Sequence, residues 1–429
     1  MRNKLFLCCL LILFSARGWA QAQTPAATPW SWEQVRQRFE ENNPTLLAGK
    51  LNIDESKAQE ITAYLRPNPS LSWSQDQILP IKQGSDCPPT VMTKCHVFSN
   101  LLSIATVSYL YERANKRELR LESAQGATAV ATSGQADLER SLLFNLRGAF
   151  VQTLQAKVVL AETKENLDYY DRVLQVSSER FKTGDIAQID LDRLQLQRVQ
   201  YESDLQTAEV NLRTAKIQLL MLLNDRTPID EFDVTGPFGF SDQLLSLDEF
   251  RNIALDTRPD LRAAVQVVDK AKSDYKLAIA NSYADPTFGF DVGRNPPFQQ
   301  YFGVSMSIPL RIFDRNQGEI LRTHLDIDRN QKLLDAAQAR VFSDVDSAYE
   351  TLKSNLILLQ PYQTKYLPQA VKVRDGITFS YQRGGASLLD FLNAQNDYRR
   401  IELSYINLVG SYLMAVNQLN LATGREAIP

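Results

Sequence analysis

The sequence of 429 residues predicts a mixed α+β chain in which long helices alternate with short strands. Three observations predict it: its two halves echo each other, a long helix-favouring stretch lacks proline, and four short segments alternate apolar with polar residues.

The echo is a run of landmarks kept in order. Ser31-Trp32-Glu33-Gln34-Val35 followed by Asn43-Pro44-Thr45-Leu46 returns as Ser246-Leu247-Asp248-Glu249-Phe250 followed by Arg258-Pro259-Asp260-Leu261. Pro69-Ser70-Leu71-Ser72-Trp73 returns as Pro286-Thr287-Phe288-Gly289-Phe290. Phe181-Lys182-Thr183-Gly184 and Asp190 return as Tyr381-Gln382-Arg383-Gly384 and Asp390. A tandem duplication accounts for this, and whatever one half builds the other builds again. The division expected is a leader over 1–20, a first repeat over 21–225, a connector over 226–245 and a second repeat over 246–429.

Between Pro89 and Pro228 there is no proline, and Leu, Ala, Gln, Glu, Arg and Lys dominate. Such composition favours long helices. A helix from about Glu112 to Lys182 would run roughly 105 Å at 1.5 Å per residue. Gly184 then supplies a left-handed turn, and a second helix returns through Leu191, Leu194, Leu205 and Leu212. The second half predicts the same from about Arg315 to Arg383, turning at Gly384-Gly385 and returning to Leu421. Pro361 and Pro368 predict a bend or loosened turn within it. Helices this long need neighbours alongside them, as in a coiled-coil layer or a tube.

The four alternating segments predict two hairpins, at about 69–111 and 286–310. Leu71 and Trp73 alternate with serines, and Ala105, Val107, Tyr109 and Tyr111 with Ile104, Thr106, Ser108 and Leu110, the one segment of the four that is not clean. Phe288, Phe290 and Val292 alternate with Gly289, Asp291 and Gly293, and Phe302, Val304 and Met306 with Gly303, Ser305 and Ser307. An apolar face opposed by Ser, Gly and Asp suits a barrel strand with lipid on one side and water on the other. Four strands cannot close, and each open edge would leave unpaired backbone groups in lipid. Two copies would give eight strands, whose interior fills with side chains. Three copies of four give twelve and leave a lumen. The fold class predicted is therefore a membrane α+β protein, a trimeric twelve-stranded barrel continued by a helical barrel.

Composition narrows function further. With 44% hydrophobic and 23% charged residues the chain is foldable, and a net charge of −3 gives no case for nucleic acid. Histidine occurs only at His96 and His324, which leaves little for imidazole chemistry or metal ligation. No nucleophile–histidine pair, phosphate loop or metal cluster is evident, so no enzyme, cofactor or metal site is expected. Arg2 and Lys4, the apolar run Leu5–Phe14 and Gly18-Trp19-Ala20 read as a secretory leader, with cleavage after Ala22 as an alternative. In the exported chain, Cys87 and Cys95 are expected to form a loop disulfide; free thiols, or a metal site with His96, are the alternatives.

At this point the sequence resembles the TolC-type outer-membrane efflux protein family over nearly the whole mature chain. The marks are Leu65-Arg66-Pro67-Asn68-Pro69-Ser70-Leu71, Arg258-Pro259-Asp260-Leu261 and Leu367-Pro368-Gln369-Ala370. To these add Tyr381-Gln382-Arg383-Gly384 leading to Asp390, Leu392, Ala394 and Gln395. The pattern looks closest to the heavy-metal and drug efflux branches. The resemblance implies a homotrimer in the outer membrane, reaching into the periplasm. It would meet a periplasmic adaptor at its helical tips, and through it an inner-membrane pump. It implies a constriction at Asp390, with Asp190, Tyr381 and Asn393 nearby, and adaptor docking at Thr183, Gly184, Ala187, Gly384, Gly385 and Ser387. Asn393 stands where the family has a second aspartate, and Ala386 where some members have an arginine. The bland reading of Asp190 and Asp390 is as helix N-terminal acids. The competing reading of the whole chain is a soluble periplasmic coiled-coil scaffold or adaptor.

Overall fold

The computed structural model describes residues 29–76, 101–242, 244–294 and 300–428. The expected leader and the expected Cys87–Cys95 disulfide lie outside the described residues.

The elements follow one order twice: two helices, a hairpin, a long arm and a returning arm. The first set is α1 (Trp32–Asn42), α2 (Pro44–Tyr64), β1 (Ser70–Asp76), β2 (Leu102–Leu110), α3 (Lys116–Lys182) and α4 (Gln188–Leu222). The second is α5 (Leu247–Thr257), α6 (Pro259–Asn281), β3 (Thr287–Arg294), β4 (Tyr301–Ser307), α7 (Gln317–Pro361), a π-helical stretch (Tyr362–Tyr366), α8 (Leu367–Gln382) and α9 (Leu388–Thr423).

The landmark strings turn out to be helix starts. Ser31 and Ser246 each cap a helix reciprocally, with Gln34 and Glu249 returning the bond. Pro44 and Pro259 open the helices that follow, where a missing N–H is harmless. Asn43 both caps α2 through Leu46 N (3.0 Å) and donates to Leu222 O (2.9 Å), so α2 begins where α4 ends. In the second half, Arg258 and Thr257 bond to Ala422 O and Thr423 O, which joins the start of α6 to the end of α9.

Two expectations need adjustment. The first long helix starts at Lys116 rather than near Glu112, because Ala114 and Asn115 take left-handed backbone (φ 57° and 54°). Asp285 holds this corner, accepting from Arg113 N (2.9 Å) and from Lys116 Nζ (2.6 Å). The second long helix is not only bent but changes its ladder. Pro361 offers no N–H, and the next five residues, Tyr362–Tyr366, form a π-helix before Pro368 opens α8.

The helices form a single layer. Toward the strands, α3 and α6 lie between α2 and α7; toward the turns, α3 and α9 lie between α4 and the α7–α8 arm. Buried side chains form three clusters, the first two side by side, where Asn417 Nδ2 reaches Phe144 O (2.9 Å). Phe39, Leu146, Phe150 and Leu219 fill one, and Phe250, Val345, Leu352 and Leu419 another. Tyr170, Leu194, Tyr201, Tyr381 and Phe391 fill the third, near the turns.

The four strands form one antiparallel sheet in the order β1-β2-β3-β4. Its register stacks like on like. Leu71, Val107, Phe290 and Val304 form one cross-strand row, and Trp73, Ala105, Val292 and Phe302 the next. On the opposite face Ser72, Thr106, Asp291 and Gly303 align, as do Ser70, Ser108, Gly289 and Ser305. A slip of one residue would exchange these faces, so register and face are one decision.

Candidate functional site

The strand face and the helix turns are the two places where the chain offers chemistry to its surroundings. On the strands, Leu71 is 75% exposed, Trp73 71%, Phe302 72% and Val304 88%. Among the described residues nothing covers this band, which is too continuous to be scattered surface apolar residues. The other face is held by its own hydroxyls: Ser70 and Ser108 meet at 2.7 Å, and Thr106 donates to Asp291 at 2.6 Å. Among the described residues no helix is long and apolar enough to cross a membrane. Nor do any described His, Cys, Asp and Glu residues gather as a metal-binding group.

At the opposite end, Gly184 (φ 82°) and Gly384 (φ 76°) turn the two helical hairpins. In the first turn Gly184 N bonds to Phe181 O (3.0 Å) and Asp185 N to Arg180 O (2.8 Å). Thr183 Oγ1 donates to Arg180 O (2.9 Å) and to Asp185 (3.0 Å), which ties off the helix end. In the second turn Gly384 N bonds to Tyr381 O (3.1 Å) and Gly385 N to Ser380 O (2.8 Å).

The carboxylates differ between the turns. Ser387 donates through Oγ to Asp390 (2.7 Å), and Asp390 N donates back to Ser387 Oγ (3.1 Å). Asp390 is thus a capping-box residue at the start of α9, with its side chain exposed. At the matching place in the first turn stands Ala187, which has no oxygen to exchange, so α4 starts without a side-chain cap and Asp190 is not committed in this way.

Tyr381 is buried, stacked on Phe391 with ring centroids 4.9 Å apart. Arg180, from the other hairpin, donates to Tyr381 O (2.9 Å) and lies 5.5 Å from the ring centre. Burial pushes the Tyr381 hydroxyl up, with Ser177 and Arg180 opposing the shift and Asp190 adding to it. Tyr381 and Asp190 are therefore brought together. Asn393 is exposed, one turn below Asp390 on α9. Arg180, absent from the sequence-based site, joins the two hairpins; its only signal was a cation in the last turn before Gly184.

The turn glycines invite a paired test. A side chain at Gly384 meets open space but must hold left-handed backbone, and Gly384→Ala should cost about 1–2 kcal/mol. Gly376, in mid-helix and also in open space, should gain roughly 0.5–1 kcal/mol from the same substitution. Unfolding midpoints of the full chain in detergent should therefore move in opposite directions.

The sequence model of the "Outer membrane efflux protein" family matches residues 251–425. The cobalt-zinc-cadmium resistance protein CzcC of Cupriavidus metallidurans is 22% identical over 403 residues, 93% of this chain and 91% of the relative. Outer membrane protein TolC of Escherichia coli is 23% identical over 343 residues, 74% of this chain and 68% of the relative. Among solved structures, the outer-membrane channel OprN superposes with a TM-score of 0.74 at 14% identity, covering 91% of this chain and 89% of its own. The relatives span nearly the whole chain, its fold is theirs, and its uncovered strand face suits a bilayer. Residues 251–425 carry the outer-membrane efflux protein pattern, and the chain as a whole is similar to TolC-type outer-membrane efflux proteins, which makes it an outer-membrane protein that extends into the periplasm.

Proposed function

We propose that three copies of this chain assemble into the outer-membrane channel of a tripartite efflux system. In this reading the channel is a passive conduit with no catalytic activity of its own. An inner-membrane pump and a periplasmic adaptor deliver the cargo, and the adaptor docks at the turns around Gly184 and Gly384. The two halves arose by duplication, and the strands of three protomers close a twelve-stranded barrel.

The observation that carries this reading is that the wall is unfinished on both sides. Among the described residues, β1 and β4 each have one unpaired edge in the sheet. In the helical layer, α4 and the α7–α8 arm are the outer members. Along α4, Ile189, Leu196, Val210 and Ile217 stand exposed at seven-residue steps, with Ser203 in the remaining place. The far side offers Leu321, Leu325, Leu358 and Val373. A seven-residue apolar stripe without a partner asks for another helix, and an open sheet edge in lipid asks for another strand. A second copy supplies both at once. A soluble scaffold would explain the helices but would leave the Trp73–Val304 face in water.

The test uses the full chain extracted from outer membranes. Trimers by light scattering and ion conductance in planar bilayers are expected. Asp390→Asn, which removes three charges near one axis, should weaken block by divalent cations. A water-soluble monomer without conductance would overturn the proposal. The name of the metal-resistance relative makes divalent metal cations the cargo we propose. A deletion strain should become sensitive to cobalt, zinc or cadmium; sensitivity to organic drugs alone would remove the metals.

A further inference from the structure

Far above the turns, two carboxyl groups face each other across the seam between α3 and α9. Glu402, on α9, is 7% exposed. Both of its oxygens accept from neutral donors: Tyr398 on one side and Asn166 Nδ2 (2.8 Å) on the other. No cation bonds to it among the described residues. Glu162, on α3, is half-buried and lies within hydrogen-bonding reach of Glu402. Two ionised carboxylates have no proton to place between them, so such a contact requires one of the pair to be the acid.

The surrounding charges do not relieve the pair. Glu165 on α3 adds a third negative charge. Arg374 on α8 acts on Tyr398, but it bonds to Asp375 (2.9 Å) and lies over the rings of Tyr398 (4.0 Å) and Tyr169 (5.2 Å). On the α4 side, Arg399 is paired with Asp204. The Tyr398 hydroxyl is pushed up, first by burial and then by Glu402, so it remains a donor throughout the neutral range.

We propose that Glu162 and Glu402 hold one proton between them and form a pH-operated clasp across the α3–α9 seam, closed while the proton is present and loosened when it leaves. The clasp joins arms from the two halves of the chain and depends only on contacts within one protomer. It therefore stands apart from the trimeric-channel reading.

Burial, then the facing Glu402, pushes Glu162 up to about 7. A carboxyl whose folded-state value is raised contributes stability that is complete in acid. That stability is lost as the pH rises through the folded value. The seam is thus tightest in acid and loosens near neutrality, the reverse of an ordinary ion pair. In a periplasm-facing protein, the acidity sensed is close to that of the medium.

Infrared difference spectra of the full wild-type chain in detergent should show a protonated-carboxyl band that disappears near pH 7. The band should be missing throughout that range in Glu402→Gln, which removes the facing charge and lets Glu162 ionise normally, and in Glu162→Gln, which removes the partner. The unfolding midpoint of the wild type should fall between about pH 5.5 and about pH 8, and Glu162→Gln should lose that fall. A wild-type band that vanishes with the ordinary carboxyls below about pH 5 would overturn the proposal, and so would an unchanged slope in Glu162→Gln. The spectrum of the unmodified chain decides the matter even if a variant folds poorly.

Discussion

Phe290→Arg is expected to deplete the chain from the outer membrane. Phe290 sits mid-row between Val107 and Val304 on the exposed apolar face. A guanidinium near the middle of a bilayer costs about 2–4 kcal/mol for each copy inserted. The proposed barrel of three protomers would carry that penalty three times, enough to shift assembly from complete to negligible. The matched control is Ser72→Arg, on the opposite face of β1 beside Thr106. There the charge meets water, and membrane content should stay near the wild-type level. Immunoblots of outer-membrane fractions, read with and without heating, separate the two outcomes. Equal insertion of both variants would mean that the apolar face does not meet lipid.

Arg258→Ala should destabilise the helical part. Arg258 is 3% exposed and spends its guanidinium on three partners. It donates to Asp260 (3.0 and 2.6 Å), to Asp344 (3.0 Å) and to Ala422 O (3.3 Å). Truncation leaves Asp260 and Asp344, each about a third exposed, with only the longer contacts to Arg140 (3.8 Å) and Arg340 (3.9 Å), and leaves Ala422 O without its donor. Allowing for solvent screening, the cost should be about 1–3 kcal/mol. Arg258→Lys should recover only part of this, since one ammonium cannot reproduce the fork. Burial tends to raise Asp260, but the bonds and charge of Arg258 outweigh it and hold the carboxyl below its usual value. Its stabilisation is therefore present above the unfolded value and lost as the pH falls through the folded one. In Arg258→Ala that acid sensitivity should shrink, with Arg140 and the Leu261 N–H still favouring the carboxylate, and unfolding followed at several pH values below neutrality would reveal it.

Much of this architecture was legible because it rests on local rules. The strand faces follow from period two, and the helix ends from Gly184, Gly384, Pro44 and Pro259. The loosened turn after Pro361 follows from a missing N–H. Arg258 was visible as a landmark beside Pro259, but its work was not, since Asp344 and Ala422 are distant in sequence. Arg180 and Tyr381 meet only because two hairpins lie side by side. The Glu162–Glu402 contact was hidden for the same reason: each residue alone looks like an ordinary acid on a long helix. Asp390 shows the converse, with a local capping role that is plain in Ser387-x-x-Asp390, while the axial role proposed for it needs the assembled tube.

The π-helical stretch makes the two long arms mechanically unlike. Buried positions Leu352 and Leu359 count in sevens down α7, and the next beats would fall on Tyr366 and Val373, which are exposed. Tyr381 is buried instead, one place later than the count predicts. On α3 the count from Leu146 through Thr153 and the partly buried Leu160 to Leu167 keeps its step. One arm is a stiff rod and the other a rod with a spare rung. Passing that rung along by a turn exchanges hydrogen bonds instead of discarding them, and rotates the segment it crosses by about 100°. Torsional give is thereby confined to the second arm, between the bilayer end and the turn at Gly384.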